Sequence, residues 1–136
     1  MKLEDLVWEK YKGQIKMYHF NKNTKNVKLD LINIMINNKD NKFISVNIYD
    51  NEITVYLDED ICMFEDQTIG YDGDYICYQL VNTGSFLEES GLVSMISTKL
   101  SEHEIPILYI TTSNSNYLFI PNEFQEKTDK ILNIDF

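Results

Sequence analysis

The stretch GLVSMISTKLSEHEIPILYITTSNSNYLFI, residues 91–120, decides the fold. Leu92, Val93, Ile96 and Leu100 recur at helical spacing, which gives a helix with one apolar face. The chain enters that helix through Glu88-Glu89-Ser90-Gly91, and acids suit the positive end of a helix dipole. Residues 105–110 are an apolar strand that starts beside Pro106, a position where proline is tolerated. Ser113-Asn114-Ser115-Asn116 makes a turn, and residues 117–120 form the paired strand. Pro121 ends it, and Asn122 is predicted to cap a last helix from Glu123 to about Leu132.

Upstream, residues 75–81 read as a strand, followed by a loop at 82–85. Residues 43–48 and 53–57 are two strands joined through Asp50-Asn51, a good hairpin turn. Residues 65–74 are polar and glycine-containing and read as a connector between halves. Residues 15–20 alternate with period two and predict a strand, whereas residues 3–11 have loosely helical spacing. The run from Val27 to Ile36 is ambiguous between strand and helix, and residues 37–41 are a loop. Two copies of a split βαβ motif explain this order. The expected fold class is α+β, with antiparallel sheets and helices on one face.

At 136 residues the chain can bury a core without disulfide or metal. It contains no Ala and no Arg, so guanidinium clamps on phosphate or guanine are not available to it. The net charge of −10 is uneven: nine Lys against five acids in residues 1–42, and three Lys against seventeen acids in residues 43–136. An acidic chain is repelled by polyanions, so nucleic acid is not an expected partner. Cys62 and Cys77 form no CxxC, and neither His19 nor His103 has metal-ligand spacing with them. Both thiols are expected to be reduced and buried. No apolar segment resembles a signal peptide or a membrane span, which makes the cytoplasm the default location and a membrane partner unexpected.

No P-loop, GxGxxG, HExxH or GxSxG is present, so no enzyme activity and no cofactor are expected. Asp58-Glu59-Asp60 and Asp72-Gly73-Asp74 carry oxygen ligands, but the latter lacks the remaining loop ligands and distal Glu of an EF-hand, and no metal site is assigned.

Residues 91–120 resemble the ACT module of the CASTOR-like family: a glycine, a helix, a strand closing on Ser-Thr-like residues, a short turn, and a strand into a final helix. Phe43-Ile44-Ser45-Val46 through Glu52-Ile53-Thr54-Val55 resembles that family's hairpin in the preceding module. The resemblance covers about residues 43–133 and does not extend over residues 1–42. It implies two ferredoxin-like ACT modules of βαββαβ type, a divergent first one over 1–70 and a second over 71–136. It also implies a small-molecule effector, commonly an amino acid, and assembly into a homodimer.

The residues support a site at the same place. Glycine at a helix start lets a ligand approach the backbone, and the free amides of Gly91, Leu92, Val93 and Ser94 suit a carboxylate. Glu89 flanks them, and Thr112, Ser113 and Asn114 in the facing turn offer carbonyls to an amino or guanidino group. Asn116 stands where arginine-sensing relatives carry an aspartate. Its lack of charge argues against arginine and leaves a neutral or differently shaped amino acid, or no ligand. Each residue also has a structural explanation: Gly91 opens a helix, Asn114 and Asn116 suit a hairpin turn, Glu88 and Glu89 are helix-start acids, and Ser94 and Thr112 can bond to backbone. His103, near a helix end, suits the dipole.

Three functions therefore compete. A ligand-binding regulatory module predicts a polar cleft near Gly91 and Thr112. A protein–protein assembly module predicts that cleft filled by Met95 or Tyr117, with apolar surface elsewhere. An enzyme predicts a buried pair of titrating groups.

Overall fold

The computed structural model describes residues 5–21, 23–24, 26–61, 70–81, 91–113 and 115–134. The elements run β1 (Trp8–Asn21), α1 (Val27–Ile36), β2 (Ile44–Tyr49), β3 (Glu52–Asp58), β4 (Gly70–Leu80), α2 (Leu92–Ser101), β5 (Leu108–Thr111), β6 (Asn116–Pro121) and α3 (Gln125–Ile131). Strand, helix, strand, strand thus occurs twice. Residues fall into two compact units, one holding the chain up to Lys12 together with Tyr75 onward, the other Gly13–Asp74. Both β1 and β4 run through the boundary.

In the Gly13–Asp74 unit the strand order is β2-β3-β1, all antiparallel. Tyr18 and Phe20 of β1 share a core with Ile53, Val55 and Leu57 of β3 and with Val27 and Leu31 of α1. Alternation along the strands puts those side chains on the face that α1 covers. The other face of these strands is mixed: Ile15 is fully buried there, and Thr54 Oγ1 lies 3.2 Å from His19 Nδ1. Asp58 ends β3 by turning the chain, its Oδ1 accepting from the Asp60 amide at 2.8 Å.

The ambiguity of residues 27–36 resolves to helix, and its cause is visible. Val27 and Leu31 point inward, while Leu29, Ile32, Met35 and Ile36 are exposed. A helix apolar on two faces has no clear period. It begins at Asn26, which sits at φ 68, a left-handed conformation that Asn tolerates.

In the other unit the order is β4-β6-β5, again antiparallel. Ile76, Tyr78 and Leu80 of β4 and Leu118 and Ile120 of β6 pack with Leu92, Ile96 and Leu100 of α2 and Leu132 after α3, along with Leu6 and Trp8. The α+β class, the antiparallel sheets and the helices on one face of this unit's sheet all hold. On the opposite face Cys77 and Phe119, directly paired across β4 and β6, are also buried, at 1% and 0% exposed, while Gln79, Tyr117, Leu108 and Ile110 beside them are half-buried.

Several expectations are corrected. Residues 8–11 are not helical; β1 starts at Trp8. Residues 70–74 are part of β4, not a connector. Gly73 is needed there, since a β-carbon on it would sit 3.3 Å from the Ile15 carbonyl oxygen. Residues 105–107 are not strand. The chain leaves α2 through Glu104 at φ 58, and Ile105 N donates back to the Leu100 carbonyl at 3.1 Å. Asn122 is not the cap of the last helix: it opens a 3-10 turn (Asn122–Phe124), and the N-cap of α3 is Phe124. Cys62 and residues 65–69 lie outside the described residues.

Candidate ligand-binding site

The site starts from the path of β4. It ends at Leu80, opposite Asn116 of β6, and Val81 N donates to the Val7 carbonyl at 2.9 Å. Because α2 follows β4 and packs along the same face, it must return with its N-terminus at the end where β4 stops. The turn after β5 lies at that end too, since β5 and β4 both pair antiparallel with β6. Topology therefore brings Gly91 and Thr112 to one end of one unit, as the sequence reading required.

Gly91 is the N-cap of α2 at φ 84, with its carbonyl accepting from Met95 N at 2.9 Å. Gly91 has no side chain with which to cap the helix, and helix geometry leaves the amides of Leu92, Val93 and Ser94 without intrahelical acceptors. A β-carbon on Gly91 would meet no atom within 4 Å among the described residues. The left-handed φ, not crowding, is what asks for glycine. Leu92 buries its side chain in the core, so it can offer only its backbone, while Val93 and Ser94 are exposed. Ser94 and Met95 also line a shallow depression of about 300 Å³ along α2, with Thr98, Lys99 and Glu102. Met95 is half-buried there.

The turn is more committed to its own structure. Thr112 N donates to Ser115 O at 2.8 Å, and Ser115 N donates to Thr112 Oγ1 at 3.0 Å. Asn116 is 4% exposed, and its Oδ1 accepts from Thr111 Oγ1 at 3.0 Å. Thr112 and Ser113 are exposed at the turn. Glu89 and Asn114 lie outside the described residues.

The other sequence candidates separate from this end. Asp72 sits in β4, with Oδ1 accepting from the Gly73 amide at 2.9 Å. His103 follows α2 and accepts a bond from Lys127 Nζ at its carbonyl, 3.0 Å. Among the described residues no three of His, Cys, Asp and Glu converge as a metal set. No helix of the described chain is long and apolar enough to cross a membrane.

Sequence reasoning missed a buried polar cluster. Asp129 of α3 is fully buried. Its Oδ1 accepts from the Tyr78 hydroxyl at 2.7 Å, and its Oδ2 pairs with Lys10 Nζ at 2.8 Å. Burial and the adjacent carboxylate push the Tyr78 phenol well above its ordinary range. These partners lie 119 and 51 residues from Asp129. The one available signal was an acid beside Thr128 on the inward side of a helix that ends in Ile131 and Leu132. Both carboxylate oxygens are taken, and neither described depression touches the cluster. It is a structural tie between β1, β4 and α3.

Burial pushes the Cys77 thiol up to about 12. In the folded protein it should resist thiol reagents at pH 8 and react on unfolding. The unfolded thiol ionises near its ordinary value of 9.0, while the folded one stays protonated. Its contribution to stability is thus fully present below about pH 9 and lost as pH rises toward 12, at about 1.4 kcal/mol per pH unit. Alkaline melts of wild type and Cys77→Val check this.

Residues 71–133 match the family model of an ACT domain. No functionally curated protein matches the chain. Among solved structures, a protein from Agrobacterium tumefaciens is similar at TM-score 0.73 and 18% identity, covering 94% of this chain and 87% of that one. A Vibrio cholerae protein of unknown function is similar at TM-score 0.69 and 15% identity, covering 97% and 91%. The ligand-free regulatory subunit of aspartate kinase from Thermus thermophilus is similar at TM-score 0.62 and 7% identity, covering 95% and 96%. At these identities the likeness is one of fold, and the match to the ACT domain model covers residues 71–133.

Proposed function

We propose that this chain is a non-catalytic regulatory module of the ACT type that binds an amino acid at the head of α2. The observation that carries this is Gly91: a left-handed glycine on which a β-carbon would meet no atom of the described residues within 4 Å, opening a ten-residue helix at the same end as the β5–β6 turn. The ligand carboxylate sits on the amides of Leu92, Val93 and Ser94, with Glu89, Thr112, Ser113, Asn114 and Asn116 around it. Asn116 supplies no charge, which favours a neutral amino acid over arginine. The strand-helix-strand-strand order occurring twice supports two modules, within residues 1–70 and 71–136, of the CASTOR-like tandem kind. The likeness to an aspartate kinase regulatory subunit over 96% of its length supports the same reading.

The test is thermal shift against the twenty amino acids, with hits confirmed by calorimetry. A ligand at a hundred times its Kd adds about 2.7 kcal/mol, a shift of several degrees. Gly91→Val should lower stability by roughly 1–2 kcal/mol through the left-handed φ and abolish the ligand shift. Asn116→Ala should weaken the shift. No response to any amino acid at millimolar concentration overturns the proposal. A second reading, a module for protein assembly, is favoured by the exposed apolar side of α1.

A further inference from the structure

The Gly13–Asp74 unit has a cleft of about 570 Å³ where the end of α1, the loop after it and the turn after β3 meet. That volume is in the range of small-ligand sites. Its apolar part is Ile34 and Ile61, both half-buried and packed on the core that Val27, Leu31 and Ile53 share. Its charged part is Lys42 and Asp60, with Nζ and Oδ2 3.3 Å apart. Asn33 and Asn37, one turn apart on α1, are exposed and border the same cleft.

The backbone under both charges is fixed before any ligand arrives. Asn38 Nδ2 donates to the Lys42 carbonyl at 2.8 Å, and Lys42 N donates to Asn38 Oδ1 at 2.9 Å, which closes the loop on itself. Asp60 N donates to Asp58 Oδ1 at 2.8 Å, and Ile61 N donates to the Asp58 carbonyl at 2.9 Å. The ion pair above is not fixed in the same way. Its side chains are 37% and 70% exposed, and an exposed pair of this kind holds together weakly. A ligand that brings both charges can open it at little cost.

We propose that this cleft binds an aliphatic amino acid, its carboxylate on Lys42, its ammonium on Asp60 and its side chain on Ile34 and Ile61. Charge decides between ligand classes. A simple anion meets Asp60 and Asp40 on the walls, and the C-terminal end of α1, which has no basic residue in its last turn, adds negative potential. A simple cation meets Lys42 and Lys39. A molecule with both signs close together matches both. Lys42 stays protonated for this role, since its hydrogen bond to Asp60 and the charges of Asp58, Asp60 and Asp40 hold the ammonium above its ordinary range. The site uses the C-terminal end of a helix in the other unit from Gly91, and it does not rest on the Gly91 reading.

Titration of the isotope-labelled full chain with L-leucine, followed by amide shifts, tests it. Isocaproate and isoamylamine serve as the same skeleton with one charge each. Leucine should move the amide signals of Lys42, Asp60 and Ile61 saturably, with a millimolar Kd. Each single-charge ligand should bind roughly tenfold more weakly, the loss of one charged contact. Lys42→Met and Asp60→Asn should each raise the leucine Kd by a similar factor. Both variants keep the backbone bonds that shape the cleft, so folding, followed by circular dichroism, should be kept. Leucine that moves none of the three signals at tens of millimolar overturns the proposal. So does either single-charge ligand binding as tightly as leucine, and so does a folded Lys42→Met variant with an unchanged leucine Kd. The amide signals of Leu92, Val93 and Ser94, read in the same spectra, report on the Gly91 end separately.

Discussion

Asp129→Ala should destabilise the protein by about 3 kcal/mol, the lower end of the cost of removing one member of a buried ion pair. The lower end applies because the Lys10 side chain is 25% exposed and can recover some water, while Asp129 itself is fully buried. The Tyr78 hydroxyl has no such outlet, since that residue is 0% exposed. Left unpaired it loses about 1–3 kcal/mol on its own account. For a chain of this size the melting temperature should fall by roughly 10 °C. Tyr78→Phe removes only the hydroxyl and should cost about 1.5–2 kcal/mol. The two changes must not add: in the Asp129→Ala background Tyr78→Phe should cost little, because the partner has already gone. Urea denaturation of the two single variants and the double variant checks this. A loss under about 1 kcal/mol for Asp129→Ala would remove the cluster from the account of how β1, β4 and α3 are held together.

That cluster also marks where reading the sequence stops. Local patterns carried the hairpin of β2 and β3, the helix α2, and the strands β4 and β6, because in each the period, the turn residues and the buried side agree. β1 was cut short at its start. Glu9, Lys10, Tyr11 and Lys12 break the alternation that Ile15 to Phe20 keeps, and the reason Lys10 is tolerated there is a carboxylate 119 residues away. Propensity has no access to such a partner. In α1 the difficulty was of another kind: the exposed Leu29, Ile32, Met35 and Ile36 hid the period set by Val27 and Leu31. At the candidate site, Gly91 was readable because its left-handed φ follows from a local need at a helix start. Asn116 was readable as a polar residue near a turn, but its burial against Thr111 depends on the register of β5 with β6.

Phe119→Ala should cost about 4 kcal/mol, as much as emptying the core under the helices. Helices covering one face of an antiparallel sheet would ordinarily leave the other face to water, with polar residues alternating outward. Here β6 contradicts that pattern residue by residue. Leu118 and Ile120 point into the helix-covered core, and Phe119 between them is 0% exposed although it points the other way. Its cross-strand neighbour Cys77 is 1% exposed, and Leu108 of β5, which also pairs with it, is half-buried. If this face were open, truncating Phe119 would change stability by less than about 0.5 kcal/mol. If it is a second packed layer, the loss should match that of Leu118→Ala, roughly 3–4 kcal/mol. The same variant carries an independent readout. Removing the ring opens space beside the thiol, so Cys77 in folded Phe119→Ala should react with a thiol reagent faster than in wild type, whereas in Leu118→Ala it should not. A stability loss with Cys77 still protected would mean that the cost comes from unsettling β6 itself and not from uncovering this side of the sheet.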